Sequence, residues 1–204
     1  MNINYQDKIC IIGYSGSGKS TLTKYFVKSL YPMKMVIVDP ISLFSEKKPI
    51  DYTGIVECLN PSKNKVCVKI HTDEQLDKII DNINHTYSKM ILVVDEIDNY
   101  IDTHFMLDQT SKYFQQGRNY GHGGIFTVRQ VGRLNTQILS NSHYLFLFKI
   151  FNKNDIIYLE SITGLPLADK INSLPLHNFL IIDLWNSEIK GNFILNGNLI
   201  VGGD

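Results

Sequence analysis

The stretch Gly13-Tyr14-Ser15-Gly16-Ser17-Gly18-Lys19-Ser20 decides the fold. It matches the pattern G-x-x-x-x-G-K-[ST], a glycine-rich loop whose backbone N–H groups can surround phosphate oxygens. An apolar, β-branched run at residues 8–12 precedes it and is typical of a buried strand. Residues 21–30 follow it with apolar side chains at helical spacing. A strand, this loop and a helix, in that order, predict a phosphate-binding loop, or Walker A motif.

Each residue type in the loop has a chemical reason to be there. Gly16 and Gly18 can adopt backbone angles closed to other residues, which lets the loop wrap tightly around phosphate. The N-terminus of the following helix adds the positive end of its dipole. We expect Lys19 to reach the β- and γ-phosphates and the Ser20 hydroxyl to bind Mg²⁺. The predicted nucleotide-binding residues are Gly13, Ser15, Gly16, Ser17, Gly18, Lys19, Ser20 and Thr21.

A pair of acidic residues, Asp95 and Glu96, follows the apolar run at residues 90–94. Such a run suits a central parallel strand that is buried on both faces. The pattern resembles a Walker B motif, in which Asp95 would hold Mg²⁺, directly or through water, opposite Ser20. Glu96 would then orient and deprotonate an attacking water. The alternative is an acidic turn that ends a strand.

Gln130 lies just past the predicted strand at residues 125–128. In a parallel sheet its amide would project at the same edge as Gly13 and Asp95. A neutral amide there could bond the γ-phosphate or the attacking water. The alternative is a solvent-exposed glutamine at the end of a strand.

Arg118 belongs to a glycine-rich connection at residues 117–124. A guanidinium can stabilise charge on a transferring phosphoryl group, and it can be supplied in trans. Arg118 could equally be a surface arginine or a contact to a DNA phosphate. Arg129 and Arg133 are rivals for the same catalytic role.

Alternating strand and helix patterns predict an α/β fold of the P-loop NTPase type, with a mostly parallel central sheet flanked by helices. Lys19 and Asp95 lie 76 residues apart, with at least one additional predicted strand between them. This spacing suits P-loop ATPases that have an extra strand between the Walker A and Walker B strands. The runs at 179–184 and 189–195 predict a C-terminal β-hairpin. We expect a single P-loop ATPase domain over residues 1–204.

Composition limits the classes of function. The 204 residues carry a formal net charge of +0, so a nucleic-acid partner would have to meet a local basic patch. No apolar run approaches the ~20 residues needed to span a bilayer, so we expect no membrane insertion. Cys10, Cys58 and Cys67 lie in apolar runs without metal-ligand spacing, which predicts free thiols in a reducing compartment.

The motifs occur in an order that resembles the FtsK–HerA superfamily of DNA-pumping ATPases, and within it the viral genome-packaging branch. The matching segments are Gly13–Ser20, Met90–Glu96, Gln116–Gly121 and Val128–Gln130. The resemblance covers roughly residues 8–150.

The resemblance implies roles for particular residues. Lys19 and Ser20 would form the Walker A pair, and Asp95 and Glu96 the Walker B pair. Gln130 would be the polar sensor, and Arg118 is similar to the arginine proposed to reach a neighbouring subunit's ATP. FtsK-like proteins usually have Thr-Gln-Arg at the sensor, whereas here Arg129 precedes Gln130.

The resemblance also implies a mechanism and partners. ATP with Mg²⁺ would be hydrolysed at subunit interfaces of a homo-oligomeric ring, a hexamer or pentamer, that moves double-stranded DNA. Capsid or portal-vertex proteins would be further partners, and the protein would act in the host cytoplasm or with the virion. DNA would be held by its phosphates. Candidate contacts in predicted loops are Lys47, Lys48, Lys63, Lys65 and Arg133.

Two other classes of function stay open. A P-loop enzyme could phosphorylate a small molecule such as a nucleoside or nucleotide, although the Arg-rich lid of such kinases is not visible and Glu96 is unusual for them. A nucleotide-gated DNA-binding protein could use hydrolysis only to switch conformation.

Overall fold

A computed structural model describes residues 4–39, 44, 49–52, 65–196 and 199–202. Some sequence predictions lie outside these residues: the run at 54–59, whose apolar residues favour a strand, Cys58, and the candidate DNA contacts Lys47, Lys48 and Lys63. Cys10 is a buried free thiol, and Cys67 is half-buried.

The described residues form one ten-stranded sheet with the order β10-β9-β8-β7-β1-β6-β5-β2-β4-β3. The strands are β1 (Lys8–Ile12), β2 (Lys34–Val38), β3 (Ile50–Asp51), β4 (Lys65–Lys69), β5 (Met90–Val94), β6 (Gly123–Val128), β7 (Tyr144–Phe148), β8 (Asn178–Asp183), β9 (Glu188–Asn196) and β10 (Leu199–Gly202). The seven strands from β7 to β3 pair in parallel. The predicted α/β P-loop NTPase architecture is confirmed, and β6 is the extra strand between β1 and β5.

Helices cover both faces of the sheet. They are α1 (Lys19–Ser29), α2 (Asp73–Thr86), α3 (Asp108–Gln116), α4 (Thr136–Ser140), α5 (Lys153–Thr163) and α6 (Ala168–Ser173). Leu22 and Phe26 of α1 pack on one face, while α2 to α6 pack on the other. The central strands β1 and β5 are therefore buried along their whole length. This explains their nearly continuous apolar sequences.

The predicted C-terminal hairpin is confirmed as β8 and β9, which pair antiparallel from Asn178↔Ile194 to Asp183↔Glu188. β8 also pairs antiparallel with β7, and β10 pairs antiparallel with β9. Three antiparallel strands, β8 to β10, thus extend the parallel core at one end of the sheet.

One predicted helix starts later than expected. The sequence pattern favours a helix from His104, but α3 begins at Asp108. The Asp102 carboxylate accepts the backbone N–H groups of His104 and Phe105 at 2.8 and 3.1 Å. A side chain that satisfies these donors stabilises a turn at the expense of the helix.

Candidate nucleotide-binding and catalytic site

The glycines shape the loop between β1 and α1. Gly16 and Gly18 have φ angles of +82° and +114°, values that side chains disfavour. Gly13 has a different reason to lack a side chain, because a Cβ there would lie 2.7 Å from Phe148 Cβ. The loop can therefore pass directly over β7 and turn into the helix.

Lys19 is the most buried cation of the loop, with 8% of its surface exposed. Its Nζ donates to the carbonyl oxygens of Gly13 and Tyr14 at 2.8 and 3.0 Å. Burial lowers the pKa of Lys19, and the nearby Glu96 and Asp95 carboxylates oppose that shift. The Lys19 ammonium is thus hydrogen-bonded to the loop and stabilised by the charges of Asp95 and Glu96.

The loop's hydroxyl side chains occupy different environments. Ser20 is half-buried in the first turn of α1, while Ser15 and Thr21 are exposed. Ser17 is buried, and its Oγ has no hydrogen-bond partner among the described residues. Ser20 is thus placed beside the helix N-terminus, where an anion is favoured.

Asp95 and Glu96 directly follow β5, beside the loop. The Thr127 hydroxyl of β6 donates to Asp95 Oδ1 at 2.7 Å and accepts the Glu96 backbone N–H at 2.7 Å. Burial raises the pKa of Asp95, and the Thr127 hydrogen bond opposes this. One side chain of the neighbouring strand therefore fixes both acidic residues.

Glu96 adopts a left-handed backbone conformation, with φ 50°. Its Oε2 accepts a hydrogen bond from Asn99 Nδ2 at 3.0 Å, and its Oε1 lies 4.0 Å from Arg129 Nη1. A non-glycine residue at positive φ is uncommon, and such residues cluster at functional sites. The turn at Glu96 and the neighbouring Arg129 thus set the position of the Glu96 carboxylate.

Gln130 lies at the same edge of the sheet as the phosphate loop, as expected, and its side chain is exposed. Its backbone N–H and that of Arg129 both donate to the Asp98 carboxylate, at 3.0 and 3.2 Å. Asp98 belongs to the short 3-10 helix that starts after Glu96. The acidic turn and the predicted sensor are therefore joined by one carboxylate.

A cleft of about 430 Å³ opens beside the loop. Tyr14 and Phe151 line it as a tilted aromatic pair with centroids 4.7 Å apart. Arg129, Gln130 and Arg133 line it too, so both rival arginines lie at the loop's own edge.

Arg118 lies at the opposite edge of the sheet. It precedes the first residue of β6, whereas the phosphate loop follows the last residue of β1, and these strands run parallel. A strand of six residues rises about 3.3 Å per residue, so about 20 Å of sheet separates the two edges. Arg118 therefore does not reach the phosphate loop of its own chain, and a role in trans stays a prediction.

The residues at the loop edge suit a hard divalent cation. A serine hydroxyl and an aspartate carboxylate are oxygen donors, and Mg²⁺ commonly takes one or two of these plus phosphates and waters. Glu96 and Asp39 both raise the pKa of Asp95, a repulsion that a cation would offset. The described residues hold no cluster of three or more His, Cys, Asp or Glu side chains suited to a metal.

Comparison with protein families gives one match. A family model described as AAA domain covers residues 3–125, which is more than half of the chain. The chain belongs to the AAA domain family. The match runs from β1 into β6 and so contains the phosphate loop and both acidic residues, but not the antiparallel strands of this AAA domain.

Solved structures share the fold of the AAA domain over nearly its whole length. The genome packaging NTPase B204 of Sulfolobus turreted icosahedral virus 2, in complex with AMPPCP, superposes with a TM-score of 0.80 at 22% identity, over 92% of this chain and 97% of that one. VirB4 of Thermoanaerobacter pseudethanolicus gives 0.66 at 11% identity, over 89% and 90%. The pCW3 conjugation coupling protein TcpA gives 0.62 at 16% identity, over 89% and 58%. The resemblance to the viral packaging branch is thus confirmed in the fold.

A comparison with curated proteins found no match. Among the helices that the structure describes, none is both long and apolar enough to cross a bilayer.

Sequence reasoning missed three residues at the site of this AAA domain. Thr127 stands in an apolar strand, Asp98 stands in an acidic run, and His177 comes 160 residues after its contact, the Ser17 carbonyl, at 3.2 Å. A polar residue inside an otherwise apolar strand was the one available signal, and it pointed to Thr127.

Proposed function

We propose that this AAA domain is an ATP-hydrolysing motor that translocates double-stranded DNA and packages a viral genome into a preformed capsid. The observation that carries the proposal is the likeness in fold to the packaging NTPase B204, which covers 92% of this chain and 97% of that one. VirB4 and the conjugation coupling protein TcpA share the same fold. Residues 1–204 would act as a single ATPase domain.

The phosphate loop would bind the triphosphate of ATP, with Lys19 on the β- and γ-phosphates. The loop's other contacts would come from Gly13, Ser15, Gly16, Ser17, Gly18, Ser20 and Thr21. Ser20 and Asp95 would hold Mg²⁺, which would neutralise phosphate charge when bound. Lys19 Nζ already lies at the loop, where it donates to the Gly13 and Tyr14 carbonyls.

Glu96 would take a proton from the attacking water. General bases of this kind contribute about 10²–10⁴ in rate. Its support is geometric: the turn at Glu96 and the Thr127 hydroxyl direct the carboxylate beside the loop. Gln130, held through its backbone by Asp98, would bond the γ-phosphate or the water and so sense hydrolysis.

Arg118 would complete the site of a neighbouring subunit in a hexameric or pentameric ring. Its position at the far edge of the sheet supports action in trans. An arginine supplied in this way is worth about 10³–10⁵ in rate.

Double-stranded DNA would be held by its phosphates at the ring centre, with capsid or portal-vertex proteins as further partners in the host cytoplasm or virion. Two candidate DNA contacts lie in the described chain, and both are exposed. Lys65 starts β4 at the amino edge, and Arg133 lines the cleft at the carboxyl edge. The two therefore cannot contact one phosphate cluster within a single subunit.

The test is ATPase activity per subunit as a function of protein concentration, with and without double-stranded DNA. We expect activity per subunit to rise with concentration and to rise further with DNA, because each site is shared. A constant activity per subunit that ignores DNA would contradict the motor. A phosphorylated small molecule appearing in place of free phosphate would identify a kinase instead.

A further inference from the structure

The guanidinium of Arg118 lies over the indole of Trp185, with Cζ 4.0 Å from the ring centroid. Arg118 precedes β6, while Trp185 follows β8, which runs antiparallel to β7. The two residues are 67 positions apart in the chain, and both lie at the amino edge of the parallel strands. The C-terminal hairpin thus supplies a surface for the arginine.

Hydrogen bonds of its own turn hold Trp185 in place. Asp183 Oδ1 accepts the backbone N–H groups of Trp185 and Asn186 at 3.2 and 3.1 Å, and Oδ2 accepts Asn186 Nδ2 at 2.9 Å. The His143 ring packs against the indole, with centroids 4.7 Å apart. The stack therefore rests on an ordered turn and not on one mobile side chain.

The arginine is left available to an anion. Arg118 is exposed, the indole is 62% exposed, and the described chain offers Arg118 no ion pair. A guanidinium stacked on an aromatic face keeps its N–H donors in its own plane, at its rim. Lys8 and His143 lie close enough for Arg118 to lower the pKa of both, after the larger effect of burial. The exposed guanidinium, without an ion pair in the described chain, can therefore bind a phosphate of another molecule.

We propose that Trp185 is a positioning residue that fixes Arg118 toward a phosphate of the nucleotide bound by a second copy of this chain. The inference rests on the proposed function and names the hairpin residue on which the shared site depends. An arginine held in one orientation loses less conformational freedom when it meets the transition state, and small errors of placement are costly in rate.

Mixing experiments test this role. Alone, Trp185→Ala should lower kcat between about tenfold and about a hundredfold with ATP affinity unchanged, because its own phosphate loop is intact. Trp185→Phe keeps an aromatic face and should retain most activity. Phe105→Ala, which removes another exposed aromatic ring, is the matched control and should leave kcat unchanged.

Complementation then assigns Trp185 to one half of the site. Trp185→Ala mixed with Lys19→Ala should regain activity, because one chain supplies the loop and the other supplies the stacked arginine. Trp185→Ala mixed with Arg118→Ala should show no gain over Trp185→Ala alone, because both variants are impaired in the same half. Full activity of Trp185→Ala, weakened ATP binding, or no rescue by Lys19→Ala would overturn the role of Trp185.

A second mixture of variants distinguishes a failure of the Trp185 proposal from a failure of the proposed motor function. Arg118→Ala mixed with Lys19→Ala should recover activity if the site is shared. If that pair recovers while the Trp185 pair does not, only the role of Trp185 is wrong. If neither recovers, the trans arginine of the proposed function is wrong and the role of Trp185 is lost with it.

Tryptophan fluorescence reports on Trp185 in the unmutated protein, because Trp185 is the single tryptophan of the chain. The ATP analogue AMPPCP should change its emission at protein concentrations where activity per subunit is maximal. At high dilution the same saturating analogue should have no effect, because the chain's own nucleotide lies at the far edge. A change at high dilution, or none at either concentration, would overturn the proposal.

Discussion

Thr127 shows how much of the candidate site depends on one hydroxyl. It is buried, donates to Asp95 and accepts from the Glu96 backbone, so it joins β6 to both acidic residues. Thr127 itself carries no charge, and the other residues of its strand are apolar or glycine. At this scale the site is a chain of hydrogen bonds whose members come from neighbouring strands.

Thr127→Val should therefore damage both stability and hydrolysis. Valine matches the shape but leaves the Glu96 N–H and an Asp95 oxygen unpaired, at a cost of about 1–3 kcal/mol in unfolding free energy. We expect kcat to fall at least about tenfold, since each 1.4 kcal/mol in the barrier is a factor of ten. Urea unfolding and phosphate release measure the two effects. Thr127→Ser keeps the hydroxyl, so a serine variant as impaired as the valine one would contradict this explanation.

Glu96→Gln separates binding from chemistry. The amide cannot take a proton, so hydrolysis should fall by about 10²–10⁴, while ATP affinity stays within about twofold because the phosphate loop is untouched. Fluorescent-nucleotide binding and phosphate release are the two measurements, with the exposed Glu188→Gln as control. Normal turnover by Glu96→Gln would remove Glu96 from the mechanism.

At the scale of elements, Asp98 connects the 3-10 helix after β5 to the segment after β6. Burial raises the pKa of Asp98, and the two N–H groups of Gln130 and Arg129 oppose that shift. The predicted sensor is therefore tied to the acidic turn by backbone bonds, whatever its own side chain contacts.

Asp98→Asn should loosen this connection, because an amide has one acceptor oxygen where the carboxylate has two. We expect faster hydrogen exchange at the Arg129 and Gln130 amides and a loss of about 1 kcal/mol of unfolding free energy. Asp108→Asn, at an exposed acid paired with Lys112, is the control. Unchanged exchange at both amides would show that Asp98 does not order the segment.

The same elements show what the sequence could and could not predict. The phosphate loop and Asp95 each directly follow an apolar run, and parallel strands end together, so the sequence predicts that they lie at one edge, as the structure shows. The Thr127–Asp95 bond joins residues 32 apart, and the Arg118–Trp185 stack joins residues 67 apart. Such pairings depend on the strand order, which local patterns do not encode.

At the scale of the whole molecule, buried histidines limit stability in acid. His122 Nδ1 accepts the Met90 backbone N–H, and His143 Nδ1 accepts that of Lys8. Burial, and then the Lys8 charge, lower the pKa of His122 to about 4. Each ring is thus kept neutral, so its Nδ1 lone pair can accept the backbone hydrogen bond.

The folded state should lose stability as the pH falls from about 6.5, the pKa of His122 in the unfolded chain, to about 4, its pKa in the folded chain. The unfolded chain binds a proton at His122 near pH 6.5, while the folded chain resists until about 4. Stability is therefore complete above about 6.5 and falls by roughly 2–3 kcal/mol on the way down to about 4. His122→Asn keeps a hydrogen-bond acceptor that does not titrate. The unfolding free energy of this variant, measured in urea, should therefore depend less steeply on pH. The exposed His71→Asn is the control, and equal slopes for His122→Asn and the unmutated chain would contradict the prediction.

Arg118 and the phosphate loop lie at opposite edges of the sheet. If the two meet in a shared site, this separation limits how a pair of active subunits can be arranged. Two subunits that share a site must therefore set the amino edge of one against the carboxyl edge of the other. A dimer whose amino edges face each other would bind ATP without turning it over efficiently. In the proposed ring, a head-to-tail contact repeated at every interface meets this requirement and gives each subunit a direction along the ring.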